Sequence, residues 1–195
     1  KVTPSTEPTN DSLSWWGYFG TNGYDAANCV ISCAEGGYLV GGETTLSSGA
    51  RVMYLVRIDS EGRRIWERTY RGPCDGGLRH WGAISDICEA PDGYLLAGYY
   101  RCENTSGWYT MKMLFLKVDF GGNFIWERYY DAMVERGDGQ IFHPYVRAIA
   151  QCDDGGFMLT GSHLFKIDSE GNIVWEKDYG GGADIARSPD NGFVI

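Results

Sequence analysis

The sequence predicts an all-β fold, a β-propeller of four-stranded antiparallel blades with four blades, and three observations carry the prediction. A segment of the form Asp-x-x-Gly-x-x-x-Trp occurs three times. A turn of Gly-aromatic type followed by a short apolar run occurs four times, between and after those copies. Glycine (28 of 195 residues) and aromatic residues (14%) are both abundant, which favours short strands joined by tight turns over packed helices.

Each unit contains four short strands. The first is an apolar stretch, Ala27–Ile31, Ala83–Ile87 and Val146–Ala150 in successive copies. It ends at a glycine turn, Glu35-Gly36-Gly37, Pro91-Asp92-Gly93 or Asp154-Gly155-Gly156, and Asp190-Asn191-Gly192 starts a further copy. Such turns supply the positive φ that hairpins need. The second strand follows, beginning at Tyr38, Tyr94, Phe157 and Phe193. The third carries Arg57, Lys117 or Lys166 and runs into the turn aspartates Asp59, Asp119 and Asp168, with Gly62, Gly122 and Gly171 three positions on. The fourth carries Trp66, Trp126 and Trp175, each followed after four residues by Tyr70, Tyr130 and Tyr179. Trp15 with Phe19 repeats that last piece near the N-terminus. The four tryptophans are spaced 51, 60 and 49 residues apart, and four antiparallel strands at that period are the signature of a propeller blade.

Residues 13–195 read as one propeller domain and residues 1–12 as an N-terminal extension. From Trp15 the order is a fourth strand, three complete units, then two strands reaching Ile195. Val2-Thr3 paired antiparallel to Leu13–Trp16 supplies the remaining strand and closes a four-bladed ring from both chain ends. Two alternatives stay open. A strand from a neighbouring molecule would satisfy the apolar edge Phe193-Val194-Ile195 and build head-to-tail filaments, or the chain is cut in mid-blade.

With 17 basic and 26 acidic residues the net charge is −9, the wrong sign for a phosphate-binding surface, so no nucleic-acid partner is expected. No run approaches the ~18 apolar residues of a membrane span, and Lys1-Val2-Thr3-Pro4 is not a signal peptide. A mature, soluble chain, not membrane-spanning, is expected.

The Asp-x-x-Gly-x-x-x-Trp run, flanked by Asp-Gly-Gly-type turns and Trp-x-x-x-Tyr segments, resembles secreted archaeal and bacterial repeat proteins with propeller folds. It is also similar, more distantly, to the quinoprotein-type (pyrroloquinoline-quinone enzyme) repeat, in which a turn glycine and a docking tryptophan staple successive blades. The resemblance covers residues 13 to 195. It implies the fold and an extracellular setting. The quinoprotein repeat has a threonine before its glycine and one more residue before its tryptophan, and its dehydrogenases have about eight blades, many with adjacent cysteines. This chain lacks those features, so quinone catalysis is not expected and no cofactor is assigned.

Six cysteines, at 29, 33, 74, 88, 102 and 152, point to an oxidising location. Cys74 and Cys102 fall in two connections on one face of the second unit and are the disulfide candidates. Cys33, Cys88 and Cys152, near the end of first strands, read alternatively as buried thiols. No Cys-x-x-Cys spacing supports zinc, and no metal site is assigned. His80, His143 and His163 lie in connections on one face and read as ordinary loop residues or as a shared ligand site. The long connections Arg71–His80, Arg101–Thr110 and Asp131–Pro144 belong to that face, and Trp108, Tyr109, Phe142 and His143 are the binding candidates there. Asp59, Asp119 and Asp168 recur in every unit, as turn formers do and single catalytic residues do not. Arg57, Lys117 and Lys166 read as outward partners for nearby acids, and Glu67, Glu127 and Glu176 as structural. Gly180-Gly181-Gly182 is no phosphate loop, and no serine sits in a nucleophile elbow. Asn10 and Asn104 head glycosylation sequons.

These features lead to a non-catalytic, secreted or cell-surface module, structural or interacting, that self-assembles into extracellular filaments by strand exchange. The alternative is a small-ligand or glycan receptor using the aromatic loops. Expected partners are the protein itself or other surface proteins and glycans.

Overall fold

The computed structural model describes residues 15, 17–72, 80–103, 109–131, 134–135, 141–142, 145–178, 181–190 and 192–195. The protein is all-β, as expected, and no helix occurs among the described residues. The first unit is β1 (Asp25–Ser32), β2 (Tyr38–Thr45), β3 (Arg51–Ile58) and β4 (Arg64–Tyr70), each strand antiparallel to the one before. The second is β5 (His80–Ala90), β6 (Gly93–Glu103), β7 (Tyr109–Val118) and β8 (Phe124–Asp131). A two-residue hairpin follows, β9 (Val134–Glu135) with β10 (Ile141–Phe142). The third unit is β11 (Val146–Gln151), β12 (Phe157–Gly161), β13 (Leu164–Ile167) and β14 (Ile173–Lys177), and a last pair is β15 (Ala186–Arg187) with β16 (Phe193–Val194). One parallel bridge between Arg51 and Trp81 joins the first two units into a continuous sheet.

Two connections differ from expectation. Arg101–Glu103 belongs to β6 and Tyr109–Thr110 to β7, so the loop between them is shorter than Arg101–Thr110. The stretch Asp131–Pro144, read as a loop, contains β9 and β10. The expected ring closure rests on Val2, Thr3 and Leu13, which lie outside the described residues. The described sheets are open and do not close into a barrel.

The period-two alternation of strands explains the apolar runs. Leu114 and Leu116 on one face of β7 pack with Leu39, Met53 and Leu55 of the first unit. Met113 and Phe115, on the other face, pack with Leu159 and Phe165 of the third. Met158 and Leu164 then pack with Ile185 and Phe193. A middle sheet is therefore apolar on both faces, as strands buried from both sides must be. The first strands lie innermost, β1 against β5, β5 against β11 and β11 against β15. The fourth strands are outermost, with β4 and β14 mostly exposed.

The repeated tryptophan couples each unit to the next. Trp66, Arg68 and Tyr70 share one face of β4, since alternate residues of a strand point the same way. All three reach the Asp119–Gly122 turn of the second unit. Gly122 has φ +74°, and a Cβ there would come within 2.9 Å of the Trp66 ring. The Tyr70 hydroxyl donates to the Gly122 carbonyl at 2.8 Å. Arg68 lies over the Trp66 ring, 5.5 Å from its centroid. The arrangement recurs one unit on: Trp126 lies on Gly171, Tyr130 donates to the Gly171 carbonyl and Arg128 covers Trp126 at 5.4 Å. Trp15 lies on Gly62 and donates from Nε1 to the Ser60 carbonyl at 3.1 Å.

The aspartate opening each turn holds it shut. Asp59 Oδ1 accepts from the Glu61 and Arg63 amides, Asp119 Oδ1 from those of Gly121 and Asn123, and Asp168 Oδ1 from those of Glu170 and Asn172. These bonds lower the carboxyl pKa values. The Arg63 amide acts foremost on Asp59 and the Asn123 side chain on Asp119; at Asp168 an upward push from burial is outweighed by Asn172.

Two predictions follow from this coupling. Gly122→Ala should cost roughly 1–2 kcal/mol from the left-handed backbone alone, and Trp66→Ala roughly 2–4 kcal/mol. In urea denaturation the double variant should lose less than the two single losses combined, by about 0.5–3 kcal/mol; strict additivity would show that the ring and the turn do not act together. Stability from the turn aspartates is present above the ordinary carboxylate range and lost as pH falls through their lowered values. A urea midpoint series should therefore fall below about pH 4, and more shallowly in Asp119→Asn; an unchanged slope in that variant would refute the assignment.

Candidate functional site

A second repeated irregularity builds a site. Each complete unit has a β-bulge in its first strand. Ala27 opposes Gly42 and Cys29 opposes Gly41, leaving Asn28 as the extra residue. Ser85 is the extra residue between Ile84 and Asp86, and Arg147 the one between Val146 and Ala148. Bulges re-aim a side chain out of the regular alternation. They also bring the preceding carbonyl close to the partner strand. A Cβ on Gly42, Gly98 or Gly161 would collide with the Ala26, Ala83 or Tyr145 carbonyl oxygen respectively. The glycine that ends each Gly-aromatic element is thus required by close approach, whatever its φ.

Asn28, Ser85 and Arg147 occupy equivalent register positions, four residues before Ser32, Glu89 and Gln151, the partners of Tyr38, Tyr94 and Phe157. Ala183 stands four residues before Arg187, the partner of Phe193. These four residues line one open depression of about 590 Å³ together with Tyr99 and Tyr145. The inner strands are stitched beside it. Asn28 Nδ2 donates to the Ile84 carbonyl at 2.8 Å, and Asp86 Oδ2 accepts from the Ile149 amide at 2.7 Å. Burial raises the Asp86 pKa, against the opposing pull of its two backbone hydrogen bonds. Burial, then the charge of Glu43, raises that of Tyr99, so its phenol stays protonated. Arg147 is exposed; its guanidinium lies 4.9 Å from the Tyr145 ring centroid, and Nη2 donates to the Tyr145 hydroxyl at 3.5 Å. Among the described residues no carboxylate pairs with it. The arrangement offers one cation, two phenols, a hydroxyl and an amide oxygen, a set suited to holding a polar anion rather than to breaking bonds.

The sequence-predicted binding residues are placed only in part. Tyr109 begins β7 and Phe142 ends β10, in strands where loops were expected; Trp108 and His143 lie outside the described residues. Cys74, Asn10 and Asn104 lie outside them too. Cys29, Cys33, Cys88 and Cys152 are free thiols, with Cys33 and Cys152 buried, and Cys102 is not among them. Burial pushes Cys29 up to about 12 and Cys88 to about 11, so neither thiol is a nucleophile at neutral pH. His163 is held by Glu176 at 2.5 Å and stacks on Phe165, a pairing within one unit.

The third-strand cations need a correction. Lys117 meets Asp92 at 2.6 Å and Lys166 meets Asp154 at 2.5 Å, the acids of their own first turns. Arg57 instead is buried and donates to the Gly36 and Ile58 carbonyls. Its turn carries Glu35 at the place of Asp154 and Gly36 at the place of Asp92, and the guanidinium takes the turn carbonyl instead of an acid. Lys117 is buried as well, so neither it nor Arg57 faces outward. The bulge residues were missed in the sequence because Asn28, Ser85 and Arg147 share no chemistry; the recurrent glycine opposite them was the available signal.

No protein-family model and no curated protein matches the chain.

Asp86 gives this region its test. Because its folded-state pKa is raised, ionising it costs stability as pH rises through that value. Asp86→Asn keeps an acceptor for the Ile149 amide without the charge and should be at least as stable as the parent at pH 7. Asp86→Ala leaves that amide without its acceptor and should cost roughly 1–3 kcal/mol. Equal denaturation midpoints for the alanine variant and the parent would contradict the stitching role.

Proposed function

We propose that the chain is a non-catalytic β-propeller-type scaffold, secreted or at the cell surface, that works by presenting surface as a structural or interaction module. The observation that carries this reading is a division of labour along the strands. Residues repeated in every unit are absorbed in the turn clamps at one end of the sheets, where Asp59, Asp119 and Asp168 accept turn amides. Residues that differ between units, Asn28, Ser85 and Arg147, are aimed by the bulges toward one depression. A scaffold that must stay constant while its binding surface varies has this pattern.

Self-assembly by strand addition belongs to the same proposal. β16 pairs with β15 alone among the described strands, and its Val194 is exposed, which suits backbone pairing with another chain. The purified chain should scatter light increasingly with concentration and form filaments in electron micrographs. Ile195→Pro, which removes an outward backbone donor from that edge while the Ala186–Val194 pairing stays, should remain dispersed. A parent that stays monomeric throughout the concentration series removes the assembly arm.

The extracellular setting has a chemical consequence. A Cys74–Cys102 bridge would leave four thiols for alkylation in denaturant without reductant, and six after reduction. Six before reduction would exclude the bridge. The alternative, a ligand or glycan receptor on the face of Trp108, Tyr109, Phe142 and His143, is favoured by one observation: the bulge depression contains Tyr99, on β6 before one long connection of that face, and Tyr145, which directly precedes β11 after another.

A further inference from the structure

We infer that the depression between the inner strands binds a sugar carboxylate, its acid group on Arg147 and its hydroxylated body against Tyr99, Tyr145, Asn28 and Ser85. The inference rests on the receptor reading above and specifies its ligand class. Three independent features of the molecule converge on it. The first is placement. Register-equivalent bulges in three units deliver different side chains to one cavity, and the fourth equivalent position carries Ala183, which leaves room there. A bulge kept only for strand curvature has no need to face a common space.

The second is charge. In a chain of net charge −9, Arg147 stands exposed at this cavity with no carboxylate beside it among the described residues. Arg51, Arg63, Arg64 and Arg187 all meet acids. The guanidinium lies over the Tyr145 ring and spends one of its five N–H donors on the Tyr145 hydroxyl, so the others remain for a carboxylate, which a guanidinium can hold through two parallel bonds. Asp86, half-buried next to Ser85, turns Oδ2 to the Ile149 amide, and the charge of Asp184, next to Ala183, acts on Asp86.

The third is the polar complement. Asn28 uses its Nδ2 on the Ile84 carbonyl, so its Oδ1 is fixed as an acceptor. Ser85 offers a hydroxyl that donates or accepts, and the Tyr99 phenol stays a neutral donor. One cation with acceptors, donors and aromatic faces around it matches an acidic hexose: a carboxylate attached to a ring of hydroxyls. A volume of about 590 Å³ accommodates one such residue or two linked ones. Free uronic acid and a uronate within a polysaccharide share this chemistry, and the test separates them.

The experiment is calorimetric titration of the full chain with D-glucuronate, with oligogalacturonate and with D-glucose, repeated on Arg147→Gln and Arg147→Lys. Because Arg147 is exposed, its variants should fold, which an unchanged thermal midpoint verifies. Glucuronate or oligogalacturonate should bind and glucose should not, with Arg147→Gln at least about tenfold weaker and Arg147→Lys intermediate. Binding of the oligomer alone assigns the site to polysaccharide, and equal binding per residue assigns it to the free acid. Equal binding of glucose, binding unaffected by Arg147→Gln, or no heat with either acid at millimolar concentration overturns the inference. A chain that fails here yet assembles through β16 leaves the scaffold proposal standing.

Discussion

An indole ring lying on a glycine that has no Cβ is the contact on which the rest of the structure depends. Gly122 is doubly constrained: its φ of +74° disfavours any L side chain, and the space above its Cα belongs to Trp66. Neither requirement alone would fix the position of one sheet on the next, since apolar faces slide. The Tyr70 hydroxyl on the Gly122 carbonyl removes the sliding freedom, because a hydrogen bond is directional where the hydrophobic contact is not. Tryptophan and tyrosine four residues apart on one strand face thus act as a single key for one turn. Each sheet holds a turn of the next sheet, and stability becomes largely a sum of units and nearest-neighbour seams.

This contact is also why so much of the fold was legible. Asp-x-x-Gly and Trp-x-x-x-Tyr are local spacings dictated by turn geometry and strand period, and they recur because the seam recurs. The apolar runs around Leu55, Leu116 and Phe165 were readable for a related reason, since a sheet covered on both sides cannot alternate cleanly. Less legible were features set by distant neighbours. The inward position of Arg57 is held by backbone carbonyls, one of them that of Gly36, twenty-one residues away, and a carbonyl carries no side-chain signal in the sequence. The short β9–β10 ladder pairs only two residues on each side, too few for a periodic pattern, although Asp138-Gly139 is a hairpin dipeptide.

The bulges were hidden for the opposite reason. Their backbone is repeated while their side chains are not, so a search for recurring residues passes over them. What recurs is the partner, Gly42, Gly98 and Gly161, whose role emerges only once the opposing carbonyl is seen. Identity across copies marks framework residues. Variation at an equivalent backbone position is the complementary signal, and it picks out Asn28, Ser85, Arg147 and Ala183.

The two irregularities lie toward opposite ends of the strands, and topology explains why. In an up-and-down unit the turn after the first strand and the turn after the third emerge at the same end. Asp92 and Asp154 therefore stand within reach of Lys117 and Lys166 there, beside the glycines that receive the indoles. The bulges interrupt the first strands before that end, on the side where β5 and β6 extend toward their longer connection. Changing a bulge residue leaves every clamp intact, because no clamp residue touches Asn28, Ser85 or Arg147 in the described contacts. The glycine opposite the bulge is different: it cannot change without moving the inner strand. Freedom at the cavity is therefore supported by strictness one strand away, and the side chains that line it can be altered without loosening the seams that hold the sheets together.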